Sequence, residues 1–127
     1  MHMLDPDNVK TMFMQLSGCE DTRLGQQEAL INSAISSLEE RLDREKAVGE
    51  EIQRCEYAAA CCAVYDYVCK ECAAERTVAT PVGKAAVRED RNYRIDAARE
   101  LKLMALEEIR ALCSGTDFMF FTRGPER

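Results

Sequence analysis

The sequence predicts an all-α fold: a four-helix bundle-like domain with a loop before the last helix and a short extended segment after it. Three observations predict it. Apolar residues recur at helical spacing in four separate stretches, and proline or glycine punctuates the chain where those stretches meet. Hydrophobic residues at 46% and charged residues at 31% suit a bundle with a packed core and solvated faces. With 127 residues there is room for one such domain, 1–127, and not for two. Residues 1–4 are expected to be disordered or added ahead of the natural start, because Met1 and His2 precede a further Met3.

The first helix is announced by Asp5-Pro6-Asp7, since proline fits a first helical turn, and it carries Val9, Met12, Phe13 and Leu16 on one side. Ser17-Gly18 should end it. The second places Ile31, Ala34, Ile35, Leu38 and Leu42 on one stripe and is expected to run to about Ala47, its start blurred by Gly25. Gly49 separates it from a third helix over 50–76, whose centre from Tyr57 to Cys69 has almost no polar face. A helix apolar nearly all round is either the central element of the bundle or one completed by a neighbouring subunit. The sequence leaves both open.

Residues 77–87 read as a loop, because β-branched Thr77, Val78 and Thr80 disfavour helix and Pro81-Val82-Gly83 makes a turn. The last helix, from Asp90 or Asn92 to Cys113, carries Ala98, Leu101, Ala105, Ile109 and Leu112 and stops at Ser114-Gly115. Beyond it, residues 117–122 are short, aromatic and apolar, which favours a terminal strand or an extended docking segment over more helix. The expected core includes Leu38, Ala59, Ala63, Leu101 and Ile109.

Composition also bears on function. The longest nearly uncharged stretch, 57–69, is interrupted by Asp66 and falls short of the roughly 20 residues a membrane helix needs, so no membrane role is expected. No charged leader with an apolar stretch opens the chain, which points to a cytosolic, soluble protein. Seven cysteines, an odd number with Cys61 and Cys62 adjacent, argue for free and mostly buried thiols instead of a disulfide framework. Cys55, Cys62 and Cys69 recur every seven residues along one helix, about 10 Å apart at about 1.5 Å per residue. A single metal ion cannot collect them. Cys69-Lys70-Glu71-Cys72 lacks the βαβ setting of a thioredoxin-like motif, and the sole histidine, His2, stands at the start. No catalytic residue, metal or cofactor is therefore assigned, and no enzyme is expected.

Charge is unevenly placed. Residues 1–52 hold 11 acidic and 5 basic side chains, whereas 53–127 hold 12 of each. Within 76–99 the balance turns to +3, and Arg88, Arg91 and Arg94 fall near one side of a helix if helix has begun there. Those arginines suit either a surface laced with salt bridges or proximity to DNA; no base-reading module accompanies them. Asp66, alone in its apolar surroundings, suits an interhelix or intersubunit contact.

The opening short helix, the stripe Leu30-Ile31 with Ala34-Ile35, the Ala-rich stretch 57–67, the loop at Val82-Gly83, the helix from Ala97-Ala98 to Leu112 and the ending Asp117-Phe118-Met119-Phe120 together resemble the small helical head-tail connector, or adaptor, proteins of long-tailed bacteriophages and prophages. The resemblance spans nearly the whole chain, and the many cysteines depart from it. It implies a structural subunit of a homo-oligomeric ring that joins the portal protein to the next head-completion or tail protein while DNA passes through the channel. The implied location is the bacterial host cytoplasm during assembly, then the virion. Asp66, Thr77, Val78, Pro81, Val82, Gly83, Phe118, Phe120 and Phe121 are the candidate subunit contacts, and Arg88, Arg91 and Arg94 the candidate DNA-channel or salt-bridge surface. Two other classes stay in view: a thiol-dependent metal or redox protein using Cys69 and Cys72, and a helical nucleic-acid-binding regulator using the three arginines.

Overall fold

The computed structural model describes residues 3–78 and 84–114, the side chains of 21–23, 75–78 and 84–89 excepted. Among the described residues are four α-helices: α1 Pro6–Ser17, α2 Glu28–Glu39, α3 Glu50–Val78 and α4 Lys84–Glu108. Short 3-10 turns at Asp21–Gln27 and Arg110–Leu112 complete them. The fold is an all-α bundle.

Local chemistry sets the ends of α1. The Asp5 side chain accepts from the Asp7 N–H at its start, and Gly18, at φ +75°, closes it by donating to the Met14 carbonyl. Val9 and Phe13, one turn apart, are the residues it buries. Of the segment 1–4 expected to be disordered or added ahead of the natural start, residues 1 and 2 lie outside the described residues, and Leu4 is ordered. It is fully buried, its N–H donates to Glu39 Oε2 at 2.9 Å, and the next N–H, of Asp5, donates to Glu56 Oε2 at 2.8 Å. An apolar side chain in the core and two carboxylate acceptors offset the entropy of ordering this segment.

The α2 helix ends at Glu39, earlier than the expected Ala47. Leu42 instead forms an antiparallel bridge with Cys113, while Asp43 N–H donates to Leu112 O at 2.8 Å and Ser114 N–H to Arg41 O at 3.0 Å. Asp43 then folds the following turn, its Oδ1 accepting from Glu45 N–H and its carbonyl from Ala47 N–H. Leu42 and Ala47 still reach the core, so the periodicity persists although the helix does not. Gly49, at φ +60°, turns the chain into α3.

The α3 helix packs against each of α1, α2 and α4. Every residue from 58 to 64 is buried, which means two turns covered all round by the rest of the same chain. This decides between the two readings of the apolar helix: α3 is the central element. Small side chains allow it, since Ala58, Ala59, Ala60 and Ala63 let three neighbours approach one axis. Phe13 of α1 meets Tyr67 of α3 edge-on, with ring centroids 5.4 Å apart. Leu38, Ala59, Ala63 and Ile109 are buried as expected, whereas Leu101 is half-buried at the edge of the core.

The break between the last two helices is shorter than the expected 77–87. Thr77 and Val78 lie in the last turn of α3, and α4 starts at Lys84. Lys84-Ala85-Ala86 are strong helix formers directly after Gly83, and they outweigh the β-branched Val87. The helix stops at Glu108, and by Cys113 the backbone is extended. The expected docking segment at 117–122 lies outside the described residues.

Candidate functional site

A cleft of about 130 Å³ opens where α2, α3 and α4 meet. Ser33 and Ser37, one turn apart on α2, line one side; Ala34 and Leu38 supply an apolar floor; Cys62 and Asp66 come from α3, and Lys102 from α4. Partial burial pushes the Asp66 carboxyl above its ordinary value, and nearby Lys102 offsets part of that rise. The Lys102 ammonium also lies 4.8 Å from the centroid of the Tyr65 ring, and the Arg99 guanidinium 6.0 Å from the same centroid. Two cations from α4 at one aromatic ring of α3 fasten the helices together beside the cleft.

Asp66 therefore stands at an interhelix seam. Its raised pKa means the folded protein holds this proton more tightly than the unfolded chain does, so the charged carboxylate costs stability above the ordinary carboxylate range. Asp66→Asn is expected to be neutral or stabilising at pH 7, with the difference from the parent closing as pH falls below that range. Urea denaturation of both proteins across acid pH checks it, and an Asn variant that is less stable at neutral pH would contradict the assignment.

The thiols are set deep. Burial pushes Cys55 and Cys62 up to about 12 and Cys61 up to about 11, so none is a ready nucleophile at neutral pH. Six of the seven cysteines are buried and Cys69 is half-buried, all of them free. They occupy small core positions, as the spacing along α3 suggested. No group of three or more His, Cys, Asp or Glu side chains placed to hold a metal ion occurs among the described residues. Brief alkylation of the native protein should label Cys69 first and the other six after unfolding; labelling of Cys61 or Cys62 at the same rate would show that the centre of α3 opens.

Of the candidate contact residues, Asp66 joins the cleft and Thr77 and Val78 lie in the last turn of α3, while Pro81, Val82, Gly83, Phe118, Phe120 and Phe121 lie outside the described residues. Arg88, Arg91 and Arg94 do share a helix, since α4 has begun by Lys84. Arg91 and Arg94 are half-buried, and Arg94 pairs with Asp90 one turn earlier at 3.4 Å. Arg99 and Asp96 form a similar pair at 2.9 Å. This local pairing fits a salt-bridged surface, and such exposed pairs contribute about 0.3–0.5 kcal/mol each.

Three residues that sequence reasoning passed over stand out on α4: Tyr93 is 74% exposed, Met104 61% and Leu103 41%. Their signal was a second apolar periodicity, Tyr93, Ala97 and Met104, on the side of the helix away from Ala98, Ala105 and Ile109. The described residues thus define a helical bundle that closes its own core and leaves apolar side chains on one outer helix. None of their helices is long and apolar enough to cross a membrane. Comparisons with known protein families, curated proteins and solved structures found no match.

Proposed function

We propose that the chain is a structural subunit of a phage or prophage head-tail connector, an adaptor that assembles with copies of itself and joins the portal to the next head-completion or tail protein. The observation that carries a protein-packing role is the outer side of α4, where Tyr93, Leu103 and Met104 face solvent although α3 is covered within the chain. The head-tail assignment itself rests on the sequence resemblance. The apolar character of α3 no longer argues for assembly, because its neighbours in the same chain account for it. A ring needs head-to-tail contacts and therefore two different surfaces on each subunit. The outer side of α4 is one candidate, and the segments 79–83 and 118–121 are others.

The test is co-assembly. Mixed with the portal protein of a long-tailed phage, the chain should sediment as a ring-sized complex, and Tyr93→Glu with Met104→Glu should weaken that complex while leaving helicity unchanged. A protein that stays monomeric and ignores the portal overturns the reading. Stoichiometric zinc in protein purified without chelator would turn attention to Cys69 and Cys72, and a salt-dependent shift with DNA of random sequence to Arg88, Arg91 and Arg94.

A further inference from the structure

The outer side of α4 is one-sided in charge as well as apolar. Tyr93, Ala97 and Met104 recur at spacings that put them on one stripe, about 16 Å long at about 1.5 Å per residue, with Leu103 exposed beside it. Every charged side chain that α4 exposes from 90 to 108 is acidic: Asp90, Asp96, Glu100, Glu107 and Glu108. The basic residues of the same stretch, Arg91, Arg94, Arg99 and Lys102, are half-buried, and the last two turn to the Tyr65 ring of α3. The helix thus carries its positive charge toward the bundle and an acidic, apolar face toward solvent.

Glu100 is the centre of that face. Its helical position falls on the stripe itself, between Ala97 and Met104, and neither it nor Glu108 forms an ion pair among the described residues. Asp90, Asp96 and Glu107 do have basic neighbours, Arg94, Arg99 and Arg110, at 3.4, 2.9 and 3.2 Å. Exposed pairs of this kind hold weakly, so the carboxylates can turn to a better partner. A second copy does not supply one. Two α4 faces laid together would set acid against acid. Among the described residues, α1 and α2 expose no basic side chain, and α3 exposes only Arg54 and Lys70, far apart along its length.

We propose that the outer side of α4 receives a basic amphipathic helix of another protein, whose apolar stripe packs on Tyr93, Ala97 and Met104 while a lysine or arginine meets Glu100. A helix suits the face because the stripe runs along one helix for about three turns, a length that apolar anchors at i, i+4 and i+7 match. The acidic rim steers such a partner in and turns acidic surfaces away. The inference rests on the packing role given to α4 above and is independent of the head-tail assignment.

The experiment titrates the full-length chain, at physiological ionic strength, into a dye-labelled peptide of about 18 residues with leucine at i, i+4 and i+7 spacing and lysine beside it. Fluorescence anisotropy should rise to saturation, and the same peptide with glutamate in place of lysine should not bind. Glu100→Lys, and separately Tyr93→Ser with Met104→Ser, all at exposed positions, should each weaken binding at least about tenfold with helicity retained. Glu20→Lys, an equal charge change at an exposed position outside α4, should weaken it less than about twofold. No binding of the lysine peptide, equal binding of the glutamate peptide, or equal losses from Glu20→Lys and Glu100→Lys would overturn the proposal. So would a dimer of the chain alone that Tyr93→Ser with Met104→Ser dissociates, since a second copy would then hold the face. Portal binding tests the connector reading separately, so either conclusion can fail alone.

Discussion

Replacing Phe13 with alanine should lower the unfolding free energy by about 3–5 kcal/mol, a large fraction of what a domain of this size holds in reserve. Phe13 is fully buried, and its ring meets Tyr67 edge-on at 5.4 Å. Truncation therefore removes transfer free energy, leaves a cavity between α1 and α3, and forfeits an aromatic contact of about 0.5–1.5 kcal/mol. A urea titration followed by circular dichroism reads the effect as a shifted midpoint. Phe13→Leu fills much of the same space and should cost far less. If the alanine variant lost less than about 1 kcal/mol, the packing of α1 on α3 described above would be wrong.

Glu56→Ala should have the next largest effect, about 2–4 kcal/mol. The carboxylate is 2% exposed and accepts from Asp5 N–H at 2.8 Å and from Asn8 Nδ2 at 3.2 Å. Alanine leaves both part-buried donors to find water and unfastens the entry into α1. Glu56→Gln retains one acceptor but sets an NH₂ group against the second donor, so it should recover at most about half of the loss. Amide hydrogen exchange gives a local readout. The Asp5 N–H should lose protection in the alanine variant, and the Leu4 N–H, which donates to Glu39, should lose less.

The sequence made legible whatever was decided locally. Asp5-Pro6 and Gly18 bound α1, Gly49 opens α3, and α3 and α4 are separate helices, as proline, glycine and helical spacing foretell. What escaped was decided at long range. Leu42 continues the apolar stripe of α2, so nothing near it reveals that it pairs with Cys113 and ends the helix pattern early. Glu56 looks like one more solvated charge until Asp5 and Asn8 arrive beside it, and Leu4 looks dispensable until Glu39 accepts from its N–H. The start of α4 was missed for the opposite reason. Local propensity at Lys84-Ala85-Ala86 outweighs the β-branched residues on either side.

The candidate site was read less completely than the fold. Asp66 was singled out because a charge inside an apolar helix is conspicuous, and it does line the cleft. Ser33, Ser37 and Lys102 carry no such contrast and become a group only through packing. Tyr93 and Met104 lie with Ala97 on a second periodicity, hidden by the stronger stripe through Ala98, Ala105 and Ile109, and Leu103 is exposed off that stripe.

The fastening of both ends of the described chain has a mechanical consequence. Leu4 and Asp5 are tied to Glu39 and Glu56, and Ser114 to Arg41, so both ends are attached around the junction that leads from α2 into α3. Tension applied between them loads a handful of hydrogen bonds there before it reaches the interior of α3. The ends would peel away first while the packed centre kept its shape. A subunit held by its two ends would therefore yield at its attachments and keep its alanine-lined middle intact.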